Sequence, residues 1–128
     1  MIAVDSNVLL RYFDQDGEQG VLAARLIEGR LSAQNRGFVS LIVVCELVWV
    51  MQRIYRAERE SIVSFLRGLL SAAQLVVQEQ GAVAYAIEQE GQDIADALIH
   101  AIGRIEGCSA TLTFDRNFAR LKGVELLA

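Results

Sequence analysis

The chain has 128 residues, enough to bury a real hydrophobic core and most simply organised as one domain. Its 53% hydrophobic fraction and mean hydropathy of +0.33 invite a membrane reading, but the apolar run from Leu41 to Met51 carries Glu46 at its centre and is too short. A net charge of −4 and a pI near 5.0 exclude a general basic nucleic-acid binder, though not a nuclease whose acids are gathered at a metal site.

Ile2-Ala3-Val4 reads as a short buried strand running into Asp5-Ser6-Asn7, any of which can cap the helix that follows. Asp14-Gln15-Asp16-Gly17 is a turn, and apolar spacing predicts a helix over 18–31. Gly37-Phe38-Val39 is a strand, and Ser40 is placed to cap a long helix carrying Glu46. A further helix spans about 58–73, and Leu75-Val76-Val77 is a third strand. Helices over 81–90 and 92–106 are separated near Gly91. Strands at 110–114 and 124–127 close the chain. Short apolar strands alternating with amphipathic helices imply an α/β fold with a mostly parallel sheet covered on both faces. Ligands of such folds gather beyond the carboxyl ends of the strands, where Asp5 and Asp115 fall.

No basic leader or cleavage site precedes Asp5, so no signal peptide is expected. Cys45 and Cys108 lack metal-ligand spacing and read as reduced thiols of a cytoplasmic protein. The basic residues Arg53, Arg56, Arg59, Arg67, Arg116, Arg120 and Lys122 read mostly as solvated helix faces. A few of these guanidinium groups are suited to phosphate.

Asp5, Glu46, Asp96 and Asp115 each stand alone among apolar neighbours, which predicts acids that water does not easily reach. A buried carboxylate neutralises or finds a cation. For Asp5, a helix cap and a metal ligand are equally good descriptions. Glu46 has apolar residues around nearly every face of its helix, so a ligand role is favoured over a neutralised or Arg-paired acid. Asp93 and Asp96 project to the same side of one helix, Asp96 as a site acid and Asp93 as a cap or first-turn acid. Asp115 opens a strand-to-helix turn and reads as a cap or a ligand. His100, one turn after Asp96, is within reach of a hydrogen bond to it, but an all-oxygen site does not need a histidine. Carboxylates without a convergent His/Cys set describe a hard-cation site, suited to Mg²⁺ or Mn²⁺ and to phosphodiester hydrolysis.

Four segments together resemble the PIN domain family, and within it the VapC-type toxins of toxin–antitoxin systems. They are Val4-Asp5-Ser6-Asn7-Val8-Leu9, Ser40 to Leu47, Asp93 to Ile99, and Thr113-Phe114-Asp115-Arg116-Asn117-Phe118. The resemblance implies a PIN-like three-layer fold, with a mostly parallel central sheet of four to five short strands and helices on both faces. It also implies an Mg²⁺- or Mn²⁺-dependent endoribonuclease. By motif position Asp5, Glu46 and Asp96 match the core acids and Asp115 the more variable fourth. Asn7 and Thr113 match polar residues beside the first and fourth acids, Ser6 replaces a frequent Thr, and Asp93 is a supporting acid. Arg116 is a candidate RNA phosphate contact, with a surface salt bridge as its alternative. Similar proteins form homodimers and are silenced by an antitoxin whose basic side chain enters the acidic groove, gripping a helical clip that the stretch from Arg53 to Leu66 resembles.

Two other readings compete. A dehalogenase-like phosphatase needs a second acid where Asn7 stands, and a receiver domain needs a lysine better placed than Lys122; both leave Glu46 unexplained. A non-catalytic PIN-like binding module has no reason to keep all four acids.

Overall fold

Ile2–Ala3 (β1), Gly37–Val39 (β2) and Leu75–Val77 (β3) form a parallel ladder in the order β1-β2-β3 in the computed structural model, which describes residues 1–127. The registers pair Ile2 with Gly37, and Gly37 in turn with Leu75. A parallel pair needs a crossover of a dozen or more residues. Here Ser6–Asp14 (α1) and Gly17–Arg25 (α2) link β1 to β2, and Leu41–Arg53 (α3) and Arg59–Ser71 (α4) link β2 to β3. A second parallel ladder joins Thr111–Thr113 (β4) to Val124–Leu126 (β5), preceded by the helices Gln80–Glu88 (α5) and Ile94–Ile105 (α6). The chain is thus the expected mixed α/β type, its described residues forming five short parallel strands hydrogen-bonded as ladders of three and two. It falls into two compact units, Met1–Gln80 and Gly81–Ala128. Among the described residues, no helix is long and apolar enough to cross a membrane.

In the first unit the caps follow the sequence closely. Ser40 Oγ accepts from the Val43 N–H at 3.2 Å and starts α3. α1 ends where Gln15 turns left-handed, its N–H bonded to the Arg11 carbonyl at 2.8 Å. The helix expected over 18–31 stops sooner. After α2 the chain makes one wider, π-helical turn, Leu26–Arg30, closed by the Leu31 N–H on the Leu26 carbonyl at 2.8 Å. That turn delivers the extended, buried Leu31 onto Gly37. A Cβ at Gly37 would lie 2.8 Å from Leu31 Cδ1 and 3.0 Å from Val4 Cγ2, so the central strand needs glycine there.

α1 is tied to α4 and to the α3–α4 connection by aromatic contacts. Phe13 meets Phe65 edge-on at 5.1 Å and stacks on Tyr55 at 6.2 Å. The Tyr55 hydroxyl donates to Asp14 Oδ2 at 2.7 Å, and Arg11 reaches the same oxygen at 3.0 Å. Burial pushes the Asp14 carboxyl up, but the Tyr55 hydroxyl, the Asp16 N–H and Arg11 outweigh it and leave it below its ordinary value.

In the second unit Ala82, Val83, Ala86 and Ile87 of α5, Ile94, Ala97, Leu98 and Ala101 of α6, and Phe118 and Val124 are buried. His100 belongs to this core at 1% exposure. It does not bond Asp96, as its spacing suggested. Its Nδ1 lies 2.7 Å from Thr111 Oγ1, tying α6 to β4, because the ring turns inward while Asp96 stays at the rim. Gly123, at φ +91, leaves the ring its space: a Cβ there would stand 2.9 Å from His100 Cε1. His100 Nε2 is buried with no partner, so Nδ1–Oγ1 is the polar contact that anchors the ring. Thr111→Val, nearly isosteric, is expected to cost about 1–3 kcal/mol, read from the shift of a urea unfolding midpoint at constant slope. An unchanged midpoint would mean that the contact contributes nothing.

Candidate metal-binding acids

Water reaches these acids more freely than their apolar sequence neighbours imply. Asp5, Glu46 and Asp115 are exposed, and Asp96 is only half-buried. For Glu46 the reason is the division of α3 into two faces. Val43, Val44, Leu47, Val48 and Met51 are buried, whereas Ile42, Glu46, Trp49 and Arg53 follow one another along the opposite, exposed side. An apolar sequence surrounds Glu46; an apolar environment does not. For Asp5 and Asp115 the reason is position, since each follows a strand of only two or three residues and lies at its carboxyl end.

Both also serve the backbone. Asp5 is the residue that caps α1, its Oδ1 accepting from the Ser6 N–H at 2.8 Å, so neither Ser6 nor Asn7 relieves it of that task. Asn7 is exposed in the first turn. Asp115 Oδ1 accepts from the N–H groups of Asn117 at 2.8 Å and Phe118 at 3.1 Å, ordering the turn into the short 3₁₀ segment Phe118–Arg120. Thr113 Oγ1 accepts from the Asp115 N–H at 3.0 Å, which places that hydroxyl directly before the acid. Asp93 caps α6, accepting from the Asp96 N–H at 3.0 Å, and is exposed. Arg116 is exposed beside Asp115.

In the second unit the fold brings three acids into electrostatic reach. Burial, and then the neighbouring Asp93 and Asp115 carboxylates, push the Asp96 carboxyl above its ordinary value. Two neutral hydrogen bonds hold this group in place. Gln92 Nε2 donates to the Asn117 carbonyl at 2.8 Å, and Asn117 Nδ2 donates to the Gly91 carbonyl at 2.9 Å. The segment that leads into Asp93 is thereby fastened to the turn that holds Asp115. Sequence reading missed both amides. Asp115-Arg116-Asn117 carries the signature of an Asx turn, so Asn117 had a local signal. Gln92 had none, because its partner lies 25 residues away.

Among the described residues no group of three or more His, Cys, Asp or Glu side chains is drawn together tightly enough to hold a metal ion by itself. The donor chemistry nonetheless suits a hard cation. The acids offer carboxylate oxygen alone, the oxygens on Asp5, Asp93 and Asp115 that bond backbone N–H groups fix their orientation, and crowded negative charge around Asp96 is what a cation relieves. Mg²⁺ in particular is bound through one or two carboxylates while retaining water, so it does not require an all-protein cage.

A family model described as PIN domain matches residues 2–124. No curated protein matches the chain. PIN domains are generally nucleases that use divalent metals.

Proposed function

Because the chain belongs to the PIN domain family, we propose that it is an Mg²⁺- or Mn²⁺-dependent endoribonuclease, the toxin of a toxin–antitoxin pair acting in the cytoplasm. The observation that carries this reading is the Asp93–Asp96–Asp115 group, where burial and two neighbouring carboxylates crowd the half-buried Asp96. Asp5, Glu46, Asp96 and Asp115 would hold the cation. Ser6, Asn7, Thr113 and Asp93 set the backbone and hydroxyl surroundings of those acids, and Arg116 is the proposed phosphate contact. When bound, the divalent cation supplies activation of a water and screens charge developing on the phosphate. The chain's own contribution is orientation: a capped α1 presents Asp5, a capped α6 presents Asp96, and the Asx turn presents Asp115.

An antitoxin and a second copy of the chain belong to the same proposal. A basic side chain of the antitoxin would neutralise the acids in place of the cation, and the stretch from Arg53 to Leu66, where α3 turns into α4, is the surface it would grip. Ile42 and Trp49 on the outer side of α3, 74% and 52% exposed, offer apolar area for a protein partner.

RNA cleavage by purified, antitoxin-free protein tests the reading, with Mg²⁺ or Mn²⁺ present and then removed by EDTA. Cleavage is expected only with metal. Glu46→Gln should lower it about a hundredfold or more while leaving the thermal midpoint unchanged, since Glu46 is exposed. Full activity in EDTA, or in Glu46→Gln, would sink the metal-site argument. Growth arrest on expression, relieved by co-expression of a small protein encoded next to this chain, separates the toxin role from a solitary nuclease.

A further inference from the structure

α1, α2 and the wide turn after them enclose a cavity of about 380 Å³ that the acids leave unused. Its apolar side includes Leu22 and Leu26; its polar side is Asn7, Gln19, Arg11 and Arg30. Among the described residues no carboxylate lines it, although the chain as a whole carries a net charge of −4. The two arginines differ. Arg11 is balanced by Asp14 at 3.0 Å and approached by Asp16 at 4.0 Å, whereas Arg30 has no ion-pair partner among the described residues. Asn7 lies in the first turn of α1, the helix that Asp5 caps, so the cavity's lining begins two residues from the first acid.

Resting on the nuclease reading above, we infer that this cavity receives one nucleotide of the RNA strand adjacent to the cleaved bond. Its sugar and base would lie against Leu22 and Leu26. The base edge would meet the Asn7 and Gln19 amides, which both donate and accept, and a phosphate would sit on Arg30. Sequence-selective proteins read splayed-out single-stranded bases by such edge contacts. The size favours this occupant over a peptide helix. About 380 Å³ is at the small end of ligand pockets, which run from about 300 to 1,000 Å³. The charge favours it too, because Arg30, without an ion-pair partner among the described residues, lines a hollow that also offers apolar surface, as a nucleotide with one phosphate requires.

The test uses the whole chain and a fluorescent single-stranded RNA, in two arms. Binding is measured by anisotropy in EDTA over a salt series, and cleavage is measured in Mn²⁺. Arg30→Gln is expected to weaken binding and raise KM about tenfold with kcat unchanged, one charged contact having been lost. The slope of log affinity against log salt should become shallower by about 0.7. Arg25→Gln, exposed on α2 and outside the cavity, is the control and should change neither. Arg30→Gln behaving like Arg25→Gln overturns the assignment, as does no measurable RNA binding by the unsubstituted protein. So does Leu22→Ser altering the oligomeric state instead of RNA affinity, which would give the groove to a protein. RNA binding without cleavage in any metal would defeat the nuclease reading alone, and cleavage indifferent to Arg30 would defeat the pocket alone.

Discussion

Asp96→Asn is expected to abolish cleavage and, in the same protein without metal, to raise the thermal midpoint. The two effects share one cause. Burial and the nearby Asp93 and Asp115 hold the folded pKa of Asp96 above its ordinary value, so its ionised form is less comfortable in the folded chain than in the unfolded one. Below the unfolded pKa of about 3.9 the group is protonated in both states and costs nothing. As pH rises from the unfolded pKa through the folded pKa the cost appears, and above the folded pKa it is complete. Asparagine removes it. The stability gain of the variant should therefore be seen at pH 7, vanish near pH 3, and narrow when Mn²⁺ is added to the parent protein but not when it is added to the variant. Loss of a group proposed to hold the cation should reduce cleavage about a thousandfold, several kcal/mol of transition-state stabilisation having gone. Differential scanning calorimetry at two pH values with and without Mn²⁺, beside a cleavage assay, reads every part. A variant less stable than the parent at pH 7 would contradict the electrostatic account.

Asp5→Asn and Asp5→Ala should separate the observed cap from the proposed cation-holding role of Asp5. Asparagine caps a helix about as well as aspartate, so Asp5→Asn should keep the unfolding midpoint while cleavage falls about a thousandfold. Alanine loses the bond to the Ser6 N–H as well and should cost a further 0.5–2 kcal/mol of stability, typically about 1. Urea titration beside the cleavage assay decides between them. If Asp5→Asn cleaves normally, Asp5 is a cap and nothing more.

How far the sequence could be read depended on whether a property is local. Strands β1 to β5 and the caps Ser40 and Asp93 were legible, because alternation, apolar runs and capping residues act within a few positions. The ordered set of acid-bearing segments also carried the family, which the match over residues 2–124 bears out. Burial was not legible. The run around Glu46 is apolar in sequence, but a helix sorts neighbours by 100° steps, and Glu46 shares its outward stripe with Ile42 and Trp49. The early end of α2 was equally hidden, because Leu31 leaves the helix to fill space above a glycine of another strand. His100 shows the same limit: its spacing allowed Asp96, but packing against Gly123 gave it to Thr111.

The fastening of Gly91 and Gln92 to Asn117 is made of uncharged amides and carbonyls. Ionic strength and pH act on the carboxylates it positions but leave those bonds alone. Conditions can therefore change how strongly the acids repel one another, or attract a cation, while this one fastening stays the same. What conditions alter is the charge of the acids, and this uncharged fastening is the part of the second unit that does not follow it.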